Sequence, residues 1–329
     1  MLINLHSHLE GRLRPATALE LAREVGLPTP GGGWAEALHL DGPADLTVYL
    51  AKVAATYPFF ATADHLARIT REAVEDAAAD GGDYLELRFG PATHVRADLP
   101  IDTVVRAVCE GAAAAAARTG MPCGIVVAGL RHHDEDTNRE VARVAARHAG
   151  RGVVGFDLAG DELLHPDLGP FRGPFAIARA AGLGLTCHAA EAAPAGAARA
   201  AVDLLDVTRI GHGTHVADDP DAIRWAADSG IVIEVCPTSN WYTGAIRDLG
   251  AHPVRTFQDA GVALVLGDDN PIQTGSLLSA ERAVLAGRHA FSSAELTALD
   301  RRSIEAAFVD DSLRRELAAR LDATAPHRS

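Results

Sequence analysis

The chain has 329 residues, 48% hydrophobic and 22% charged, which is ample material for a core and excludes a mainly disordered polymer. Thirty Lys and Arg against 44 Asp and Glu leave a net charge of −14. This argues against nucleic acid or an anionic membrane as partner, since both select a basic footprint. Length alone suggests about two domains, although a single α/β barrel also fits.

Four cysteines (Cys109, Cys123, Cys187 and Cys236) form no Cys-x-x-Cys pair and are too few for a disulfide framework. Four reduced thiols in a cytoplasmic protein are the expectation. The opening MLINLHSH has neither a basic n-region nor an apolar h-region. Apolar runs such as Ile125-Val126-Val127 fall far short of the roughly 18 residues a membrane span needs.

In chain order, short β-branched runs predict strands at residues 2–6, 84–89, 124–130, 153–158, 183–188, 207–210, 231–235 and 263–266. Helical patterns separate them at 102–119, 137–149, 173–181, 219–229 and 254–260. Strict alternation predicts a parallel sheet under helices, and eight units predict a closed (β/α)8 TIM barrel. An open doubly wound sheet is the alternative. Residues 9–83 form a long insertion after the first strand, with helices expected near 15–25, 44–57 and 63–79 and a loop at Gly31-Gly32-Gly33-Trp34. Barrel insertions after strands sit at the active-site face, so this one is a candidate lid. Residues from Leu277 onward read as terminal helices, with a frayed tail at 323–329.

Ligand-type residues gather where these strands end. His6 and His8 close the first strand, and period-two alternation puts both imidazoles on one face. His188 closes the fifth. Glu191 follows three residues later, placed as a general acid or base. His212, between Gly211 and Gly213, ends the sixth and can orient a bound water; His215 in the same stretch reads as structural. Asp268, Asp269 and Asn270 follow the eighth. Each has an ordinary explanation alone: chance for His-x-His, a helix N-terminus for Glu191, an Asx turn before Pro271. Four strand ends carrying such residues together are hard to assign to accident. They predict a mononuclear site of three histidines and one aspartate with a bound water. Zn2+ is favoured, and iron, manganese or cobalt also suit the donors.

Other chemistries fit worse. The chain contains no GxxxxGK[ST] and no GxSxG. Gly182-Leu183-Gly184 opens a dinucleotide motif, but Cys187 stands at its third glycine. His8-Leu9-Glu10 and Pro122-Cys123 begin the two halves of the nucleic-acid deaminase signature, but Val126 replaces its final cysteine.

With these motifs assembled, the chain resembles the adenosine deaminase branch of the amidohydrolase superfamily. LHSHLEG (5–11) is similar to that family's HxHxDG. DLAGDE (157–162), HAAE (188–191), IGHGTH (210–215), CPTSNWYTG (236–244) and LGDDNP (266–271) follow in order. The resemblance implies one metal ion per chain held by His6, His8, His188 and Asp269. The register with Asp268 on the metal needs an inserted residue and ranks second. It further implies that Glu191 protonates the purine ring, that His212 and Asp269 position the attacking water, that Gly160 and Asn270 contact the base, and that Ser239 supports the metal ligands. The implied reaction is hydrolytic deamination of a 6-aminopurine nucleoside, adenosine first. Two departures stand out. Ala190 replaces the glycine of HAGE. Glu10 replaces an aspartate that holds the ribose 5′ end in adenosine deaminases, whereas adenine deaminases of the family carry LEG here, which keeps adenine, a modified nucleoside or another aminated heterocycle open. A silent nucleoside-binding barrel is the reading from another class, and retention of all the ligands argues against it. One domain spanning 1–329 follows, because the ligands run from His6 to Asp269.

Overall fold

The computed structural model describes residues 1–324. Eight strands follow one another around a barrel: β1 Ile3–His8, β2 Tyr84–Phe89, β3 Cys123–Leu130, β4 Val153–Ala159, β5 Gly184–Ala189, β6 Arg209–His212, β7 Val232–Val235 and β8 Ala263–Leu266. Neighbours in the sheet are consecutive in sequence and parallel. The ring closes just beyond β8, where Asp269 N–H donates to His6 C=O (3.0 Å) and His8 N–H donates to Asp269 C=O (2.7 Å). This closure rules out the open doubly wound sheet.

Helices cover the strands, so both sheet faces are buried and the strands read as apolar runs. Local signals start and stop these helices. The Thr62 hydroxyl accepts from His65 N–H at the head of Ala63–Ala79, and Asp134 accepts from Thr137 N–H at the head of Glu135–Arg147. The helix Ile101–Thr119 ends on Gly120 in the left-handed region, φ 75°. The helix Ser293–Ala306 packs on β1 and β8, and the last helix, Asp311–Thr324, packs on it, with Leu317 and Leu321 joining Ile3, Leu5, Val265 and Ile304 in one apolar cluster.

Strand positions differ from the sequence expectation by two residues or fewer, with β6 shifted towards His212. Two corrections concern helices. Gly33 and Trp34, expected in a loop, begin a short helix Gly33–Leu38, with Trp34 edge-on to Phe59 at 4.8 Å. A further helix, Gly196–Leu205, buries Ala198, Ala201 and Leu205 and stands outside the expected set. The terminal helix also takes in the first two residues of the expected tail; the rest of 323–329 lies outside the described residues.

The barrel interior is polar. Arg88 of β2 donates to Asp157 of β4 (3.1 Å), Glu234 of β7 (2.8 Å) and the Leu5 carbonyl (2.6 Å). Arg209 of β6 donates to Glu234 (2.7 Å) and pairs with Glu86 of β2. Its guanidinium lies 3.7 Å from the Phe308 ring, which closes the N-terminal end. All these charged side chains are buried.

Among the described residues, no helix is long and apolar enough to cross a membrane. The four cysteines are unpaired, and burial pushes the thiols of Cys109, Cys123 and Cys187 up to about 12.

Candidate active site

The predicted ligands meet at the C-terminal mouth of the barrel. β1 carries one extra residue against β2 between Asn4 and Ser7, a bulge that contains His6, and His6 and His8 turn to the same place beside Asp269. His8 Nε2 lies 3.2 Å from His188 Nε2, and Asp269 Oδ1 lies 3.3 Å from His8 Nε2 and 3.6 Å from His6 Nε2. The backbone makes room for this convergence. A Cβ on Gly267 would sit 2.4 Å from His6 Cβ, and one on Gly211 would sit 3.0 Å from His6 Cε1.

The donor set fits a metal ion. His6 Nε2 is buried without a hydrogen-bond partner, an expensive arrangement unless something else takes its lone pair. Two ligands bonded tetrahedrally at about 2.0–2.1 Å lie about 3.3 Å apart, close to the spacings found here. Three imidazoles and a carboxylate suit Zn2+, and other first-row divalent ions share that preference. His212 also comes within reach of His6 and His188.

Behind the ligands stand groups that orient them, as expected of metal-binding histidines. His6 Nδ1 bonds Glu234 (2.7 Å), and His188 Nδ1 lies 3.1 Å from Asp157. The polar barrel interior therefore continues into the site. Asp269 Oδ2 accepts from the hydroxyls of Ser239 and Tyr49, the latter at 3.0 Å, and its Oδ1 accepts from Asn270 Nδ2 at 2.7 Å. Asp268 turns away to pair with Arg12, so of the two registers it is Asp269 that faces the histidines.

Electrostatics sort these groups. Burial drives the pKa of His8 and of His212 well below the usual value, leaving both neutral, the form that can donate a lone pair. For His6, burial and Arg88 act downwards, but Asp269 and Glu234 outweigh them and raise its pKa. Burial opposes ionisation of Asp269, yet the surrounding imidazoles hold its carboxyl well below the usual range. Glu191 goes the other way. Burial first, then Asp269 and Glu162, push it well above the usual value, so the chain's own groups favour the protonated acid. Its Oε2 lies 3.7 Å from His212 Nε2.

Backbone strain concentrates here. Ala190 (φ 53°), His212 (φ 65°) and Asp269 (φ 55°) occupy the left-handed region, which costs a side-chain-bearing residue roughly 1–2 kcal/mol. Each sits at or just beyond a strand end, where the chain must turn sharply to aim a side chain inwards. Glu162 steadies one such turn by accepting from Ala190 N–H (3.0 Å) and Ala193 N–H (2.9 Å).

Above the ligands lies a cavity of about 380 Å3. Gly160, Glu191, His212, Asp269 and Asn270 line it from the barrel, and Glu10, Leu46, Thr47, Tyr49, Leu50, Val53 and Tyr57 from the insertion. Thr47 donates to Asp161 Oδ2 (3.0 Å), tying the insertion helix Leu46–Ala54 to the loop after β4. Glu10 Oε1 accepts from Gly90 N–H (3.2 Å) and bonds His94 (3.1 Å). His215 pairs with Asp218 at 2.7 Å, outside the ligand cluster.

Sequence reasoning missed Tyr49, Asn240, His252 and Glu234. Tyr49 reads as one more core aromatic of a helix. Glu234 interrupts the apolar strand VIEV, and that interruption was a usable signal: a carboxylate inside a buried strand requires a partner.

The adenosine deaminase family model matches residues 2–324. An adenine deaminase of Rhizobium leguminosarum bv. trifolii (strain WSM2304) is 34% identical over 97% of this chain and 98% of its own. An adenosine deaminase of Shewanella denitrificans is 36% identical, covering 97% of each. Among solved structures, an adenine deaminase from Arthrobacter aurescens superposes with a TM-score of 0.90 at 27% identity over 98% of both chains. A closed parallel barrel, ligands at its C-terminal mouth and these likenesses agree: the chain belongs to the adenosine deaminase family of hydrolases.

Proposed function

We propose that this chain is a cytoplasmic, zinc-dependent deaminase of a 6-aminopurine nucleoside, adenosine first, releasing inosine and ammonia. The observation that carries the reading is the placement of buried Glu191 beside His212 and the ligand cluster, on one wall of the cavity. His6, His8, His188 and Asp269 would hold the ion, which when bound draws the pKa of a water towards about 7.

The chain's own groups do the rest. His212 and Asp269 hold the attacking water, and Asp269, an acceptor on both oxygens, takes its proton. Glu191 donates to ring N1 as the water oxygen adds to C6. The tetrahedral carbon then expels ammonia: the amine takes the proton held by Asp269, the C–N bond breaks, and the hydroxyl returns a proton to Glu191 as C6=O forms. Such acid–base assistance typically contributes about 10²–10⁴-fold. The Gly160 N–H faces N3, and the Asn270 amide faces the N7 side. Thr47 and Tyr49 anchor residues 9–83 as a cover over the cavity within a single catalytic unit.

A second reading, adenine itself, is supported by Glu10. Its carboxylate is fixed to the cavity wall by Gly90 and His94, and its longer arm enters space that a ribose end would use. Ammonia release from adenine, adenosine, deoxyadenosine, 5′-modified adenosines and pterins tests both readings. Fast release from adenosine is expected. Metal-loaded protein that frees no ammonia from any aminopurine would sink them together. Glu10→Asp is expected to raise kcat/KM for adenosine relative to adenine, and an unaltered ratio would count against a sugar-end role for Glu10.

A further inference from the structure

His212 does not stand alone. Its Nδ1 lies 3.1 Å from Asn240 Nδ2; Asn240 Oδ1 lies 3.2 Å from His252 Nε2; and His252 Nδ1 accepts from Val254 N–H at 3.1 Å. All three side chains are buried, with Asn240 fully enclosed. The backbone of Asn240 is held as well: its N–H donates to the Cys236 carbonyl (2.9 Å), and its carbonyl accepts from Ile246 N–H (3.1 Å).

The polarity of this chain of bonds is fixed from its far end. A backbone N–H can only donate, so His252 Nδ1 must be the acceptor. Burial first, with His289 nearby, holds the His252 pKa down at about 3, so the ring is neutral and carries a single proton. That proton is on Nε2 and points at the amide oxygen of Asn240. The amide therefore presents its NH2 to His212, and His212 Nδ1 accepts.

We infer that Asn240 and His252 are positioning residues that hold His212 as the neutral tautomer with its proton on Nε2, aimed into the reacting centre. Given the deaminase reading above, His212 then donates a hydrogen bond to the oxygen that attacks C6 and has no lone pair there with which to accept a proton. Asp269 is left as the acceptor.

The experiment is 15N NMR of the metal-loaded protein labelled at histidine, without substrate, using His212→Gln to assign the His212 signals. A protonated, pyrrole-type Nε2 and an unprotonated Nδ1 are expected. Asn240→Asp replaces the donor with an acceptor of the same shape and should move the proton to Nδ1. It should lower kcat by about 10²–10³-fold, the usual cost of one misdirected donor, with KM changed less than about 3-fold. His252→Gln, which keeps an N–H for Asn240, should retain the wild-type tautomer and most of kcat, whereas His252→Leu should lose both. Wild-type His212 with its proton on Nδ1 would overturn the inference, as would Asn240→Asp with tautomer and kcat unchanged. Should Asn240→Asp fail to fold, the wild-type spectrum and the His252 pair still decide. The spectrum needs no turnover, so it stands even if no aminopurine proves to be a substrate.

Discussion

Two layers of one barrel hold ionisable side chains, and the fold treats them in opposite ways. In the interior, Arg88 and Arg209 meet Glu86, Asp157 and Glu234 in close ion pairs, with none exposed to solvent. One layer up, His6 Nε2 has no partner, His8 and His188 face each other nitrogen to nitrogen, and three side-chain-bearing residues hold left-handed backbone. The lower layer is scaffold: its charges pair with one another across the strands, although Arg88 Nε is left without a hydrogen-bond partner. The upper layer instead turns its donor atoms towards one point at the mouth of the barrel. The layers meet at Glu234 and Asp157, each of which serves a guanidinium and an imidazole at once.

The largest expected contrast comes from one deletion in each layer. Glu234→Gln removes the carboxylate charge that Arg88, Arg209 and His6 share, leaving Arg88 on Asp157 and Arg209 on Glu86, and should cost about 1.5–3 kcal/mol of stability, read as a fall in Tm. His8→Ala removes a neutral ring and should leave the metal-free protein within about 1 kcal/mol of wild type. Yet it should abolish stoichiometric metal binding and turnover. Equal losses of stability would erase the distinction between the layers.

Glu191 tests the upper layer from within. Glu191→Gln keeps the shape and removes the acid, so metal content should persist while kcat falls about 10²–10⁴-fold. An unchanged kcat would refute its role as proton donor.

The smallest effect is expected at Ala190, where strain and packing oppose. Glycine relieves the left-handed φ, worth roughly 1 kcal/mol. It also gives up a fully buried methyl worth about 0.8 kcal/mol. Ala190→Gly should therefore shift stability by less than about 1 kcal/mol in urea unfolding. A loss beyond about 3 kcal/mol would mean that the methyl, and not the turn, shapes the upper layer.

Much of this was legible before folding. The eight strands show because each is a short β-branched run bounded by helix signals, and parallel strands buried on both faces leave that mark. His6, His8, His188 and Asp269 show because polar residues at the ends of such runs break the apolar pattern. Tyr49 did not show, since nothing local separates an aromatic that packs from one that also bonds a carboxylate 220 residues away.

By itself, then, the sequence determined the alternation of strand and helix, the kinds of ligand and the strand ends that bear them, because these are written in local periodicity and residue chemistry. Only the tertiary structure decided partnership. Closing the ring brought Glu234 to His6 across 228 residues, turned Asp269 inwards and Asp268 out to Arg12, and laid Asn240 and His252 behind His212. Hydrogen bonds and ion pairs depend on distance and direction in space, and a barrel sets both by joining strands that lie far apart along the chain.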